Sequence, residues 1–109
     1  MSEPIPFACN MGALSPEQRA RHSQLKHLLG TALAVVHELS NGYDFEFFRH
    51  PAIYRMLTEI TPLEHECCPF FSISIGVEQT GALFWQLTGR EGVKQFIRME
   101  FAEWFHALR

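Results

Sequence analysis

Residues 64–71, Glu-His-Glu-Cys-Cys-Pro-Phe-Phe, join a helical pattern to the clearest strand of the sequence. Pro69 lacks a backbone N–H and disfavours a helical conformation for the residue before it, so the helix is predicted to end here. Cys67 lies seven residues beyond Ile60 and continues the buried face of the helix, whereas Cys68 lies in the turn. The stretch therefore marks a boundary between helix and strand and holds two of the three cysteines.

A hairpin and a last helix are predicted after this stretch. Apolar residues alternate through residues 71–77 and 83–87, with the turn Glu-Gln-Thr-Gly at 78–81 between them. Residues 88–91, Thr-Gly-Arg-Glu, match a capping box. The helix that follows has apolar residues every three or four positions as far as Leu108, and it is predicted to be uninterrupted.

Upstream, two helices flank a strand. The first begins at residues 15–18, a capping box with proline at the first helical position, and is predicted to run to Ser40-Asn41-Gly42. Residues 43–48 alternate between apolar and charged side chains and predict a strand. The second helix begins at His50-Pro51, and Pro62 either kinks it or begins another helix.

A short edge strand is predicted at residues 5–10, with Cys9 facing the core. The predicted order is then βαβαββα within a single domain, residues 1–109. Because each strand has one apolar face, we expect a three- to four-stranded sheet with helices packed on one side. The expected fold class is an α+β two-layer sandwich.

Composition narrows the function classes. A chain of 109 residues that is 47% hydrophobic and 19% charged is typical of a globular protein. The net charge of −3 and the lack of a basic stripe argue against a nucleic-acid partner. No apolar run is long enough to span a membrane and no signal peptide is evident, so a cytoplasmic location is expected. Ten phenylalanines predict an exposed apolar patch and hence a homodimer.

The adjacent cysteines Cys67 and Cys68 suggest a metal site. Three cysteines in a reducing compartment are expected to be thiols or ligands, and thiolates suit Zn, Cu(I), Hg(II) and As(III). Two sulfurs do not complete a site, and the candidates for the remainder are Cys9, His65 and Glu64. With Cys9 the site is a three-thiolate pyramid for a metalloid, and with His65 it is a Cys/His zinc site. Such a protein would sequester or sense its ion rather than catalyse a reaction.

Two alternatives remain open at this point. Free cysteines often pack as small hydrophobes, so the chain could be a dimeric, aromatic-rich interaction module with structural cysteines and no metal. A thiol-dependent reductase is disfavoured, because a helix C-terminus and the neighbouring Glu64 and Glu66 are expected to raise the thiol pKa values.

The same residues carry a resemblance. The sequence is similar to a set of small, largely uncharacterised bacterial proteins that share Glu-x-x-Cys-Cys-Pro-Phe, a strand, and a Leu-Thr-Gly-x-Glu-Gly turn before a last helix. The matching positions are Glu64, residues 67–70, residues 87–92, Cys9 and Gly42-Tyr43. The resemblance covers most of the chain and implies a connection with heavy-metal resistance. Pro62 departs from the uninterrupted helix of that pattern.

Overall fold

Pairs of strands alternate with helices along the chain. The computed structural model describes residues 7–107. After a short 3-10 helix, Met11–Ala13, the elements in chain order are α1 (Pro16–Thr31), β1 (Leu33–Leu39), β2 (Gly42–Phe47), α2 (Pro51–Cys67), β3 (Ser72–Val77), β4 (Leu83–Thr88), α3 (Val93–Glu100) and α4 (Ala102–His106).

The four strands form one antiparallel sheet in the order β1-β2-β4-β3. Trp85 pairs with Phe45 on one side and with Ile75 on the other, so these three side chains share a face of the sheet. The helices pack on the sheet, and the prediction of an α+β two-layer sandwich with up to four strands is confirmed.

Aromatic side chains fill the space between the sheet and the helices. Phe45, Trp85, Phe101 and Trp104 are fully buried, and the Phe45 and Trp104 rings meet edge to face at 5.0 Å. Each indole finds a hydrogen-bond acceptor on a helix: Trp85 Nε1 donates to Thr61 Oγ1 at 2.9 Å, and Trp104 Nε1 donates to the Lys26 carbonyl at 2.8 Å. These bonds satisfy indole N–H groups that burial would otherwise leave without a partner.

The prediction of one long helix from Ser15 to Ser40 is wrong in its second half. The capping box at Ser15 is present, but α1 ends at Thr31, and residues 33–39 form β1. Leu39 pairs with Gly42, so Ser40 and Asn41 are the two-residue turn of a hairpin and not a helix end. Adjacent β-branched residues at Val35 and Val36, with a partner strand next in the chain, favour the strand.

The edge strand predicted at residues 5–10 is also wrong within the described residues, where residues 7–10 form no strand; residues 5 and 6 lie outside them. The Asn10 N–H donates to the Cys67 carbonyl at 2.8 Å, which joins the segment to the end of α2 and not to the sheet. The element order is therefore αββαββα with a divided last helix, in place of βαβαββα.

The last helix begins later than predicted and is interrupted. Its N-cap is Gly92, whose positive φ of 94° only glycine adopts without strain, and the capping box predicted at residues 88–91 does not form its start. A break at Phe101 separates α3 from α4, and the predicted end at Leu108 lies outside the described residues.

The helix that carries the cysteines is continuous. In α2, the His50 ring nitrogen Nδ1 accepts from the Ala52 N–H at 3.0 Å and caps the start, and Pro62 lies inside the helix without ending it. The helix ends at Cys67, with Cys68 as its C-cap, as the sequence predicts. The end of α2 therefore places both cysteines at the boundary between the helix and the following turn.

Candidate functional site

The thiols of all three cysteines gather at the C-terminal end of α2. The sulfur atoms of Cys9, Cys67 and Cys68 all lie within 4.8 Å of one another, and those of Cys67 and Cys68 are 3.7 Å apart. Two of them come from the end of one helix, and the third comes from a segment more than fifty residues earlier in the sequence. Cys9 therefore reaches the pair, which is the condition for a three-thiol site.

Aromatic packing holds the Cys9 segment in place. Phe7 contacts Phe70 edge to face, with ring centroids 5.1 Å apart, and stacks on Phe96 at 6.1 Å. The Arg90 guanidinium lies 3.9 Å from the Phe7 ring centre. A Cβ at Gly92 would lie 3.0 Å from Phe7 Cε2, so glycine also makes room for the ring. With the Asn10 hydrogen bond, these contacts fix the chain on both sides of Cys9.

The three thiols differ in exposure. Cys67 and Cys68 are 0% exposed, whereas Cys9 is partly exposed. Cys67 Sγ also lies 3.5 Å from the Glu64 carbonyl oxygen, to which a thiol donates. Any ion or reagent would consequently reach the cluster from the side of Cys9.

The pKa values of the three thiols are shifted in different directions. Cys67 accepts from the thiols of Cys68 and Cys9, which lowers the pKa of the Cys67 thiol to about 5. Donation to Cys67 raises the pKa of Cys68 and that of Cys9, and burial raises both further. The expectation that the surroundings raise the thiol pKa values of the pair therefore holds for Cys68 and is wrong for Cys67, where hydrogen bonds from the other two thiols outweigh the opposing effects of burial and Glu64. Of the three thiols, Cys67 is therefore the one that loses its proton most readily.

A second cluster shares Cys67 with the first. His22 Nε2, a carboxylate oxygen of Glu64 and the Cys67 sulfur lie within 4.8 Å of one another. His22 is 3% exposed and Glu64 is 0% exposed. His22 Nε2 and Glu64 Oε2 form a hydrogen bond, while Glu64 Oε1 is buried without a hydrogen-bond partner among the described residues. Burial raises the pKa of the Glu64 carboxyl, with the hydrogen bond to His22 opposing it.

A second acidic group, Glu100, lies beside Cys9. Burial raises the pKa of Glu100, and the adjacent Cys9 raises it further. Lys26 opposes both effects, with its Nζ 3.4 Å from Glu100 Oε1. The carboxyl groups of Glu64 and Glu100 therefore adjoin the three sulfurs, and the nearby Lys26 is paired with Glu100.

Of the five candidate ligands, the structure brings four together. Cys9, Cys67 and Cys68 form the first cluster, and Glu64 joins Cys67 in the second. His65 is exposed and belongs to neither cluster, although it precedes the pair closely in sequence.

His22 is the site residue that sequence reasoning missed, because His65, next to the cysteines, was the only histidine considered as a ligand. A signal was present: His22 lies three residues before Leu25 and seven before Leu29, on the spacing of the buried face of α1. Its partner Glu64 lies on the buried face of α2, so the two polar side chains meet where the helices pack.

Comparison with family models, with curated proteins and with solved structures gave no match. The site is therefore interpreted from its own geometry. Among residues 7–107, no helix has the length and apolar character needed to cross a membrane.

Proposed function

We propose that the protein binds a thiophilic metal or metalloid ion through Cys67, Cys68 and Cys9, and that it sequesters or senses this ion. The observation that carries the proposal is the convergence of three sulfurs within 4.8 Å from two separate segments. Thiolates select soft ions, and a site made of sulfur alone suits Zn, Hg or As(III) better than a hard cation.

The spacing of the vicinal pair supports chelation of one ion by both sulfurs. Two sulfurs bound to zinc at about 2.3 Å each, at a tetrahedral angle, are about 3.8 Å apart. The Cys67 and Cys68 sulfurs are already 3.7 Å apart. The pair therefore requires little rearrangement to hold an ion, and Cys9 closes the third side.

Charge also supports a ligand role over packing alone. Thiolates at Cys67 and Cys68 would be fully buried beside Glu64 and at a helix C-terminus, where they cost solvation energy and meet repulsion that a bound ion relieves. Glu64 Oε1 is buried without a hydrogen-bond partner among the described residues, and the Glu64 carboxylate belongs to the cluster that includes Cys67. Packing of inert thiols leaves the solvation cost of burying this oxygen unexplained.

Reductase chemistry is less well supported. Thiol–disulfide exchange needs a thiolate that an external disulfide can reach. The thiol with the lowered pKa, Cys67, is 0% exposed, and burial with donation to Cys67 raises the pKa of the partly exposed Cys9. Ion binding needs no exposed thiolate, so all three sulfurs can take part in it. A reducing compartment such as the cytoplasm keeps them as thiols, and the resemblance to proteins connected with heavy-metal resistance agrees with the proposal.

Native mass spectrometry of anaerobically reduced protein tests the proposal. Zn(II), Hg(II) and arsenite are added separately to wild type and to the double variant Cys67→Ser, Cys68→Ser. We expect one bound ion per wild-type chain for at least one of the three, and none on the variant. Equal uptake by both proteins, or no uptake by wild type, would show that the cysteines only pack.

A dimeric interaction module is the second candidate, because apolar side chains remain exposed. Phe48 is 63% exposed and Val77, on the edge strand β3, is 59% exposed. An open apolar cavity of about 430 Å³ lies beside Val77, between Tyr54 and Leu83. Sedimentation of wild type and Phe48→Ser at micromolar concentration tests this: a dimer that Phe48→Ser weakens supports the module, and a monomer throughout excludes the homodimer.

A further inference from the structure

We infer that the thiol cluster is built for a trivalent, three-coordinate metalloid of the arsenite class rather than for a tetrahedral divalent ion. The inference rests on the proposed function and narrows its substrate class. Ligand number, charge and access each support it independently.

Ligand number is the first argument. A structural zinc site is tetrahedral and needs four protein ligands. The cluster supplies three sulfurs, and the second cluster shares with it only Cys67. Neither His22 Nε2 nor a Glu64 carboxylate oxygen joins all three sulfurs in one group within 4.8 Å, so the described residues bring no fourth ligand to the three-sulfur cluster. Trivalent arsenic forms three bonds and carries a lone pair in the fourth position, so three sulfurs complete its coordination.

Charge is the second argument. A divalent ion with three thiolates leaves a net negative charge in a buried site that also adjoins the carboxyl groups of Glu64 and Glu100. Arsenous acid instead exchanges its three As–O bonds for three As–S bonds. From three thiols, each S–H proton leaves with one hydroxide as water, and arsenic stays trivalent. The product is neutral, which a buried site tolerates best.

Access is the third argument. Cys67 and Cys68 are 0% exposed, so the incoming species must pass Cys9 and lose its hydration in a low-dielectric interior. Arsenous acid is uncharged at neutral pH, whereas a hydrated dication carries a large desolvation penalty into such a site. Partly exposed Cys9 is placed to make the first bond, and the buried pair then completes the site.

Equilibrium binding of arsenite, Zn(II) and Hg(II) to reduced wild type and Cys9→Ser tests the inference, with mass spectrometry to count the protons lost. Wild type should bind one arsenic with loss of three protons from its thiols, and Zn(II) should not displace it. Cys9→Ser should weaken arsenite binding by about 100-fold or more, because the third bond is a chelate contact. It should keep Hg(II), which two thiolates hold in linear coordination.

The matched control is His65→Ala, which removes an exposed side chain close to the pair. It should leave arsenite affinity unchanged, and thermal unfolding should show that both variants are folded. If wild type holds Zn(II) or Hg(II) but not arsenite, the inference is overturned and the proposed function stands. If Cys9→Ser binds arsenite as wild type does, the inference is overturned and the proposed function is reduced to binding through Cys67 and Cys68. If wild type holds none of the three, both fail.

Discussion

His22 and Glu64 hydrogen-bond each other in the core, although 42 residues separate them in sequence. The bond joins α1 to α2 beside the Cys67 thiol, and both side chains are buried. Each side chain is the polar partner of the other in the buried interior. The pair therefore constrains the packing of α1 against α2 and the surroundings of the Cys67 sulfur.

Two replacements of Glu64 should distinguish the contribution of its hydrogen bond to stability from that of its negative charge. We expect Glu64→Ala to lower the free energy of unfolding by about 3–5 kcal/mol, since it leaves His22 buried without a partner and opens a cavity. Glu64→Gln retains a group that can bond the imidazole and should cost about 1 kcal/mol. Urea unfolding measures both. Equal losses for the two variants would mean that the negative charge is needed, contrary to this account.

The Thr61–Trp85 hydrogen bond gives a second prediction. Thr61→Val keeps the volume but removes the acceptor of the Trp85 indole N–H, which should cost about 1–3 kcal/mol of stability. Thr61→Ser keeps the hydroxyl and serves as the control, with a much smaller loss. Thermal or urea unfolding compares them, and an unchanged stability in Thr61→Val would show that the indole finds another acceptor.

Asp44 should make stability depend on pH. Its Oδ1 is buried without a hydrogen-bond partner in the described part of the chain, and burial raises the Asp44 pKa. Nearby Glu46 and Glu78 raise this pKa further, while His37 lowers it. A carboxyl group with a raised pKa in the folded state binds its proton more tightly when the protein is folded. The stability that this proton contributes is present below the unfolded-state pKa of about 3.9 and is lost as pH rises through the raised pKa of the folded state.

Asp44→Asn removes that loss. We expect the variant to be more stable than wild type at neutral pH, with the difference shrinking as pH falls toward the ordinary aspartate pKa. Urea unfolding at a series of pH values measures the difference. A difference that stays constant with pH, or a less stable variant at neutral pH, would contradict the assignment.

Phe7 should control the affinity of the site more than the stability of the fold. Its ring is only partly buried and packs at the edge of the core, where it holds the Cys9 segment against Phe70 and Phe96. Phe7→Ala should weaken arsenite binding by about tenfold, because Cys9 must then be ordered on binding. The exposed Phe48→Ala is the control and should bind as wild type does. Equal affinity in all three proteins would show that Phe7 does not position Cys9.

The predictable parts of the fold are those where local pattern and tertiary packing agree. The hairpin of β3 and β4, strand β2 and the end of α2 at Cys67 follow from period-two alternation and from Pro69. Residues 33–39 fit both a helical and a strand pattern, and only pairing with β2 decides between them.

The candidate site was predictable in its ligands but not in its geometry. Adjacent cysteines with a proline after them identified the location, and the possibility that Cys9 joins them could be stated from its type alone. Its approach depends on Asn10 bonding to the Cys67 carbonyl, a contact that no local pattern encodes. His22 was missed because a polar residue on a buried helix face has no visible partner until α2 is packed against it.

X-ray absorption at the arsenic edge of arsenite-loaded, reduced protein counts the atoms bonded to the ion and so shows whether all three sulfurs bind it. Three sulfur neighbours and no oxygen are expected if Cys9, Cys67 and Cys68 act as one site. A signal with two sulfurs and an oxygen would show that Cys9 does not take part, and oxygen neighbours alone would show that the thiols do not bind the ion.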